Sequence, residues 1–197
     1  MDTATLTISM LIFGYLLGSI PFAKLFTLRA GVDLFETGTG NPGAANVFRR
    51  VDKRLGAAVF LADGLKGAVP VLLAWLLGAP EELWVVGGAA AIFGHWYPLF
   101  NRFKGGAGLA AGAGAVVALM PLGGVVGLVV GMSVIARIKS SGHGALTGVI
   151  VIILVSWLVD ADWPLGAEWP AMVGAVGISA VLFAKALARG WKPGRKD

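Results

Sequence analysis

A glycine-rich stretch, GTGNPGAANVFRR at residues 38–50, has the residue types that bind phosphate. Its small residues expose backbone N–H groups, and the guanidinium of Arg49 can donate two hydrogen bonds to one anion. Thr39 and Asn41 add side-chain donors. The same stretch also fits a turn-rich connector whose arginines only mark one side of a membrane. Composition leaves these two interpretations equally open.

A second segment, FNRFKGGAGLAA at residues 100–111, repeats this arrangement. Lys104 precedes the pair Gly105 and Gly106, and a helix is predicted to begin just after them. Backbone amides at a helix start, together with a nearby cation, favour an anion site.

A third segment, RIKSSGHG at residues 137–144, brings cations, two hydroxyls and a histidine together before another predicted helix. Ser140 and Ser141 could orient a substrate. His143 is a candidate general base, although a loop histidine can equally be idle. Three basic segments of similar character around one bundle indicate a ligand with several negative charges.

Two charged residues, Asp63 and Lys66, fall inside an apolar segment, where charges usually pair with each other or line a cavity. A spacing of three places them on one helix face, so both interpretations remain possible. His95 lies in the next apolar segment and is favoured as a hydrogen-bonding structural group over a base. The sequence has no cysteine and shows no cluster of metal-ligand residues, so no metal site and no cofactor are expected.

The elements that carry these segments are strongly apolar. The 197 residues are 57% hydrophobic and only 14% charged, with a mean hydropathy of +0.81, which is too apolar for a soluble domain. The net charge of +5 is distributed between apolar segments. This pattern favours anionic lipid headgroups or anionic substrates as partners, and no nucleic acid.

The hydropathy pattern predicts one all-α integral membrane domain over residues 1–197, with about seven transmembrane helices. The predicted spans are residues 6–28, 55–77, 83–100, 109–120, 122–138, 145–159 and 169–188. The fourth is short and is separated from the fifth only by Pro121, so it could be partly re-entrant. Glycines at a spacing of four, Gly123, Gly127 and Gly131, predict close helix packing.

Charge distribution predicts the orientation. When the spans alternate, all sixteen Lys and Arg residues fall at or near one side, which is then the cytoplasmic side. This partition requires an odd number of spans, with the N-terminus outside and the C-terminus cytoplasmic. The opposite side receives acidic residues: Asp2, Glu81, Glu82, Asp160, Asp162 and Glu168.

Four stretches, in this order and spacing, resemble the acyl-phosphate-dependent glycerol-3-phosphate acyltransferases, the PlsY family. They are GSIPFAKL at 18–25, the stretch at 38–50, ADGLKG at 62–67 and GHWYPLFNRFKGG at 94–106, and they span about the first two thirds of the chain. The resemblance implies a seven-helix enzyme of the bacterial inner membrane, with its site on the cytoplasmic face. Its substrates would be acyl phosphate and glycerol 3-phosphate, acylated on the 1-hydroxyl to give lysophosphatidic acid.

The resemblance, together with the basic segments, predicts two sets of site residues. The predicted catalytic set is Thr39, Asn41, Arg49, Ser140, Ser141 and His143. The predicted phosphate-binding set is Gly40, Gly43, Asn46, Lys66, Lys104, Gly105 and Gly106.

The sequence also departs from the family pattern at two places. Ala107 stands where the family loop reads Gly-Gly-Lys-Gly, and residues 183–197 lack the family's histidine and asparagine. Lys185 or Arg189, at the inner end of the last span, could replace the missing cation. The departures support an alternative hypothesis, in which a non-catalytic homologue binds or transports an anionic lipid or phosphometabolite.

Overall fold

The computed structural model describes residues 2–138, 140–159 and 169–190, and its longer regular elements there are all α-helices. Two short 3₁₀ turns, Leu28–Ala30 and Leu99–Asn101, follow α2 and α5. The helices are α1 Thr3–Gly18, α2 Phe22–Thr27, α3 Ala44–Arg50, α4 Lys53–Leu76, α5 Glu81–Trp96, α6 Leu109–Leu119, α7 Pro121–Ile138, α8 Ser141–Val159 and α9 Trp169–Gly190.

Among the described residues, four helical segments are long and apolar enough to cross a membrane. They are Thr3–Ala30, Lys53–Leu76, Glu81–Asn101 and Pro121–Ile138. The other three predicted spans fall on shorter apolar helices, Leu109–Leu119, Gly142–Leu158 and Val173–Leu182. At 1.5 Å per residue, the fourth predicted span is roughly 16 Å long, about half the hydrocarbon thickness. The helical character of every predicted span is confirmed, and their number as full spans stays a prediction.

The orientation pattern is only partly visible in the described residues. Glu81 and Glu82 occupy the first turn of α5, where negative charge complements the helix dipole. Asp160, Asp162 and Glu168, which the charge pattern assigns to the outer side, lie outside the described residues.

The two faces of α4 have the opposite polarity to those of a helix in a soluble protein, because apolar side chains are exposed and charged side chains are buried. Leu61, Leu65 and Leu76 are 61–71% exposed, whereas Asp63 and Lys66 are only 2–3% exposed. Exposed leucines along one face are unfavourable in water and favourable against lipid acyl chains. The buried charges therefore face the interior of the bundle.

The first predicted span, residues 6–28, is not one continuous helix. α1 ends at Gly18 and α2 begins at Phe22. Pro21 lacks an N–H group and disfavours helical backbone at Ile20, which favours a break at this pair. The Ser19 hydroxyl donates to the Tyr15 carbonyl at 2.8 Å near the break. The interruption leaves the Ile20 carbonyl available to a neighbouring helix.

Small residues bring α7 and α8 into close contact. A Cβ at Gly131 would lie 2.7 Å from the Gly144 carbonyl oxygen, and one at Gly127 would lie 2.7 Å from the Gly148 carbonyl oxygen. Both distances are too short for a side chain, so the helices can approach only because glycine occupies these positions. The close packing predicted from the glycine spacing is confirmed.

A small apolar core lies beneath the first glycine-rich stretch. Ala23 of α2, Leu34, Val47 of α3 and Val59 of α4 are buried together. Burial of apolar surface stabilises this cluster by about 25 cal/mol per Å². The cluster holds α3 and the loop before it against the first half of α4.

Candidate active site

Asn46 holds the loop of residues 38–43, called the first loop from here. Its amide Nδ2 donates to the Thr37 carbonyl at 2.9 Å and to the Leu34 carbonyl at 3.3 Å, while its Oδ1 accepts from the Thr39 N–H at 3.3 Å. Asn46 is 3% exposed. Gly40 has a φ of +67°, a left-handed backbone that suits glycine. Asn46 thus holds the first loop by hydrogen bonds. A contact between Asn46 and phosphate stays a prediction.

Replacing Asn46 by alanine should destabilise the first loop. The change removes three hydrogen bonds and leaves buried backbone groups without their side-chain partner, a loss of about 1–3 kcal/mol for each buried group left unsatisfied. We expect a lower midpoint of thermal unfolding in detergent and faster proteolysis within the loop. Arg54→Ala, at an exposed position on α4, is the control. Equal unfolding midpoints for Asn46→Ala and Arg54→Ala would contradict this role.

α3 presents two exposed cations, Arg49 and Arg50, in its last turn. Gly56 of α4 lets α3 approach closely, since a Cβ there would lie 2.6 Å from the Phe48 backbone nitrogen. Arg49 is therefore carried by a short helix that packs against the first turn of α4, and its contact with phosphate stays a prediction.

The loop of residues 104–108, called the second loop, is fastened to the end of α5. The Gly106 N–H donates to the His95 carbonyl at 3.2 Å. The Trp96 indole Nε1–H donates to the Ala107 carbonyl at 2.9 Å. α6 begins directly after this loop, as the sequence predicts.

Lys104 is placed by a strained turn. Arg102 and Phe103 have φ values of 52° and 60°, which cost about 1–3 kcal/mol each in a non-glycine residue. Asn101 braces the turn, because its Nδ2 donates to the Lys104 carbonyl at 2.7 Å. The Asn101 Oδ1 also accepts from the Lys24 ammonium at 3.3 Å. Asn101 thereby links Lys24 of α2 to the second loop.

A buried ion pair lies beside this loop. The Lys66 Nζ is 2.9 Å from the Asp63 Oδ1 and donates to the Ile20 carbonyl at 3.0 Å. The His95 Nδ1 is 3.8 Å from the same Asp63 oxygen. The Ile20 carbonyl, which lies in the break between α1 and α2, thus accepts a hydrogen bond from Lys66.

A small pocket joins these elements, and we call it the basic pocket. Lys24, Lys66 and Lys104 line it, together with the single carboxylate Asp63. The excess of positive charge gives the pocket an electrostatic preference for an anion. Its full lining is Gly18, Ile20, Pro21, Phe22, Ala23, Lys24, Pro42, Asp63, Lys66, His95, Pro98, Asn101, Lys104, Gly105 and Gly106.

Three glycine amides predicted to bind phosphate already have backbone partners. The Gly40 N–H donates to the Thr37 carbonyl at 3.1 Å, and the Gly43 N–H donates to the Asn41 carbonyl at 2.8 Å. The Gly106 N–H donates to the His95 carbonyl. A phosphate bound to these groups would have to replace internal hydrogen bonds, so the exposed side chains of Lys24 and Lys104 are the more accessible donors.

The third segment forms its own small cluster at the start of α8. The Ser140 Oγ and the His143 Nδ1 are 2.8 Å apart and hydrogen-bonded. Both residues lie outside the lining of the basic pocket. Ser141 is the first residue of α8, and its side chain lies outside the described part of the structure.

Comparison with known proteins decides the family. The family model described as Glycerol-3-phosphate acyltransferase matches residues 8–189. This chain belongs to the glycerol-3-phosphate acyltransferase family. The match extends well past the first two thirds of the chain, where the motifs were recognised, and reaches the last helix. The resemblance stated from the motifs is confirmed.

Proteins named glycerol-3-phosphate acyltransferase from three bacteria align with the chain. The protein of Myxococcus xanthus is 38% identical over 91% of this chain and 89% of its own length. That of Nitratiruptor sp. is 38% identical over 78% of this chain and 77% of its own length. The alignment with the Geotalea daltonii protein, at 46% identity, covers 60% of this chain and 61% of that protein.

Two crystal structures of PlsY (YgiH), described as an integral membrane glycerol 3-phosphate acyltransferase, share the fold. The glycerol 3-phosphate form is 33% identical, with a TM-score of 0.76 over 93% of this chain and 87% of that one. The lysophosphatidic acid form is 32% identical, with a TM-score of 0.75 over 94% of this chain and 88% of that one. This protein is therefore a multi-pass membrane member of this acyltransferase family.

The basic pocket of this family member unites only part of the predicted site. From the predicted phosphate-binding set it contains Lys66, Lys104, Gly105 and Gly106. Pro42 brings the first loop to its edge. Within the described residues, the predicted catalytic set contributes no lining atom to this pocket, and its roles stay predictions.

Four further residues with polar side chains line the pocket and belong to neither predicted set: Lys24, Asp63, His95 and Asn101. Asp63 and Lys66 form an ion pair and also line a pocket, so both sequence interpretations of this pair are correct. Lys24 lies in one of the four recognised stretches, but its charge was used only to assign a membrane side. Its position near Lys66 depends on the helix break at Pro21, which the apolar pattern did not reveal.

A second, apolar cavity of about 130 Å³ lies between α4, α6, α7, α8 and α9 of this acyltransferase family member. Leu109, Val116, Leu128, Ile152 and Leu182 are among its lining residues. Several lining residues on α7 and α8 are glycines, which have no side chain to fill the space. The cavity suits an alkyl chain better than a polar ligand.

Proposed function

We propose that this protein transfers an acyl chain from acyl phosphate to the 1-hydroxyl of glycerol 3-phosphate, giving lysophosphatidic acid for phospholipid synthesis. The reaction takes place at the cytoplasmic face of the bacterial inner membrane. Seven spans, with the N-terminus outside and the C-terminus inside, place all three basic segments at that face. The charge distribution along the sequence supports this orientation.

The observation that carries the proposal is the basic pocket of a chain that belongs to this family. Three lysines and the second loop surround it, and both proposed substrates carry phosphate. An ammonium group offers three N–H donors, and two of those on Lys66 face Asp63 and Ile20. Charge-assisted hydrogen bonds to a phosphate are roughly twice as strong as neutral ones.

The chemical step joins two phosphate-bearing substrates without a covalent enzyme intermediate. The glycerol hydroxyl oxygen attacks the acyl carbon, and the new ester C–O bond forms as the C–O bond to phosphate breaks. Inorganic phosphate leaves, and the hydroxyl proton leaves with it. The protein contributes by holding two anions close together and by stabilising charge on the leaving phosphate.

The remaining predicted residues act around this pocket. Arg49 contacts a substrate phosphate from the first loop's side, and Thr39 and Asn41 orient that substrate. Ser140 and Ser141 orient the second substrate, and His143 is the candidate general base. In the tautomer in which the His143 Nδ1–H donates to the Ser140 hydroxyl, the Nε2 carries no proton and can accept one.

The apolar cavity holds the acyl chain in this proposal. Its lining is almost entirely hydrocarbon, and it extends from Phe60 on α4 to Gly144 at the inner start of α8. An acyl chain can therefore lie between the helices while its phosphate remains at the inner face. Burial of each methylene contributes about 0.8 kcal/mol to binding.

Turnover by the purified protein tests this function. The protein in detergent would be given acyl phosphate and glycerol 3-phosphate, and lysophosphatidic acid and phosphate would be measured. We expect both products to form in equal amounts and to require both substrates. Phosphate release without lysophosphatidic acid would contradict the proposed acceptor.

Removing either of two cations should reduce turnover. Arg49→Ala and Lys104→Ala each delete a charge-assisted contact worth roughly 1.5–3 kcal/mol, so we expect kcat/KM to fall about 10- to 100-fold. Lys53→Ala, at an exposed lysine at the start of α4, is the matched control and should retain wild-type turnover. Wild-type rates for both Arg49→Ala and Lys104→Ala would refute this site.

A second function, binding or transport of an anionic lipid or phosphometabolite, is favoured by one observation. Ala107 removes a cation from the second loop, where the family pattern has lysine. Retained binding of glycerol 3-phosphate with no turnover above a no-enzyme control would support this alternative. Measurable turnover would exclude a purely non-catalytic role.

A further inference from the structure

A lysine of the last helix lies beside the second loop. The Lys185 Nζ of α9 is 3.7 Å from the centroid of the Trp96 ring and 5.3 Å from that of Tyr97. The same Trp96 indole donates its N–H to the Ala107 carbonyl. One aromatic side chain therefore contacts both Lys185 and the loop position where the family pattern carries a lysine.

Packing between α9 and the start of α6 holds Lys185 in this place. Leu182, one turn before Lys185, is 6% exposed. A Cβ at Gly108 or at Gly112 would lie 3.4 Å from the Leu182 Cδ2, so this leucine sits directly on the end of the second loop and the first turn of α6. Residues three apart share a helix face, and Lys185 consequently faces the same loop.

The second loop itself carries little positive charge with which to bind a phosphate. Lys104 is the only basic residue within the second loop, residues 104–108. The proposed reaction brings two phosphate groups to this end of the protein, and Ala107 offers no side-chain donor to either. A lysine has a flexible four-carbon stem, so its ammonium can move from a ring face to a nearby anion.

We propose that Lys185 binds a substrate phosphate at the second loop and supplies, from α9, the positive charge that Ala107 does not provide. This inference rests on the proposed function, because it assigns the residue to the phosphate groups of those substrates. The contact with Trp96 holds the ammonium next to the loop when the phosphate is absent. The cation–π contact is electrostatic and is weaker than a charge-assisted hydrogen bond to a dianion.

Four variants test the inference: Lys185→Met, Lys185→Arg, Lys53→Met and the double variant Lys185→Met with Ala107→Lys. Lys185→Met keeps the length of the side chain and removes its charge. It should lower kcat/KM about 10- to 100-fold and raise KM for at least one phosphate substrate. Inhibition by inorganic phosphate should weaken in parallel. Lys185→Arg should retain most of the activity, and Lys53→Met should match the wild type.

The double variant separates phosphate binding from a structural role of the cation–π contact. Lysine at position 107 restores charge to the loop without restoring the contact with Trp96. We expect at least a tenfold recovery of kcat/KM relative to Lys185→Met. Wild-type kinetics for Lys185→Met, or no recovery in the double variant, would overturn the inference.

Failure of the inference can be distinguished from failure of the proposed function. If the wild type has no turnover, the acyltransferase function fails, and calorimetric binding of glycerol 3-phosphate and of inorganic phosphate replaces kinetics as the readout. Lys185→Met should then weaken the binding of both by about tenfold or more. Unchanged affinities would overturn the role of Lys185 independently of catalysis.

Discussion

Replacing Asp63 by alanine should destabilise the protein by about 3–5 kcal/mol, because the Lys66 ammonium would remain buried without its carboxylate. Asp63 and Lys66 are 2% and 3% exposed, so water cannot readily replace the lost partner. The Ile20 carbonyl, 3.0 Å from Lys66, offers a dipole but no opposite charge. The midpoint of thermal unfolding in detergent should fall clearly below that of the wild type.

A double variant separates the effect of charge from the effect of packing. Asp63→Asn with Lys66→Met removes both charges and keeps similar volumes, so most of the stability should return. Activity should not return, since Lys66 lines the basic pocket. A double variant as unstable as Asp63→Ala would contradict the ion-pair explanation. A stable double variant with wild-type turnover would remove Lys66 from the site.

Replacing Gly105 by alanine should abolish most of the activity. A Cβ at this position would overlap the carbonyl oxygens of both His95 and Trp96, which belong to the backbone at the end of α5. These atoms cannot rotate away, so the second loop must shift and carry Lys104 with it. A displacement of about 1 Å at a reacting site can cost roughly 100-fold in rate. We expect a loss of that size in kcat/KM.

The matched control for this substitution is Gly177→Ala in α9. Among the residues that the structure describes, no atom apart from the backbone of its own helix lies within 4 Å of the Cβ that it would add, and glycine to alanine in a helix is favourable by up to about 1 kcal/mol. Gly177→Ala should therefore keep wild-type activity and stability. Equal activities for Gly105→Ala and Gly177→Ala would show that the position of the second loop does not matter for catalysis.

The helical architecture could be predicted from the sequence because the apolar segments are long compared with most of the polar stretches between them. Charged residues or proline mark the ends of these segments. The same pattern could not predict the break between α1 and α2. Residues 18–22 are apolar or small throughout, so only the missing N–H of Pro21 marks the interruption. That single local feature places the Ile20 carbonyl and Lys24 in the basic pocket.

The candidate site could be predicted in part for a similar reason. Lys104 and Gly105 stand next to one another in a recognisable motif, and Lys66 is conspicuous in an apolar segment. Lys24, Asn101 and Lys185 come from separate elements and approach the second loop only through tertiary packing. Lys24 and Asn101 are 77 residues apart in the sequence, and Asn101 and Lys185 are 84 residues apart. Such long separations follow no helical or strand period, so the sequence pattern does not predict that these residues are close in space.

A structure of this protein with bound glycerol 3-phosphate would locate the phosphate site. We expect the phosphate to lie in the basic pocket, with one of its oxygens within hydrogen-bonding distance of the Lys104 ammonium. Density for the phosphate at the Ser140–His143 cluster, with the basic pocket empty at saturating ligand, would contradict it.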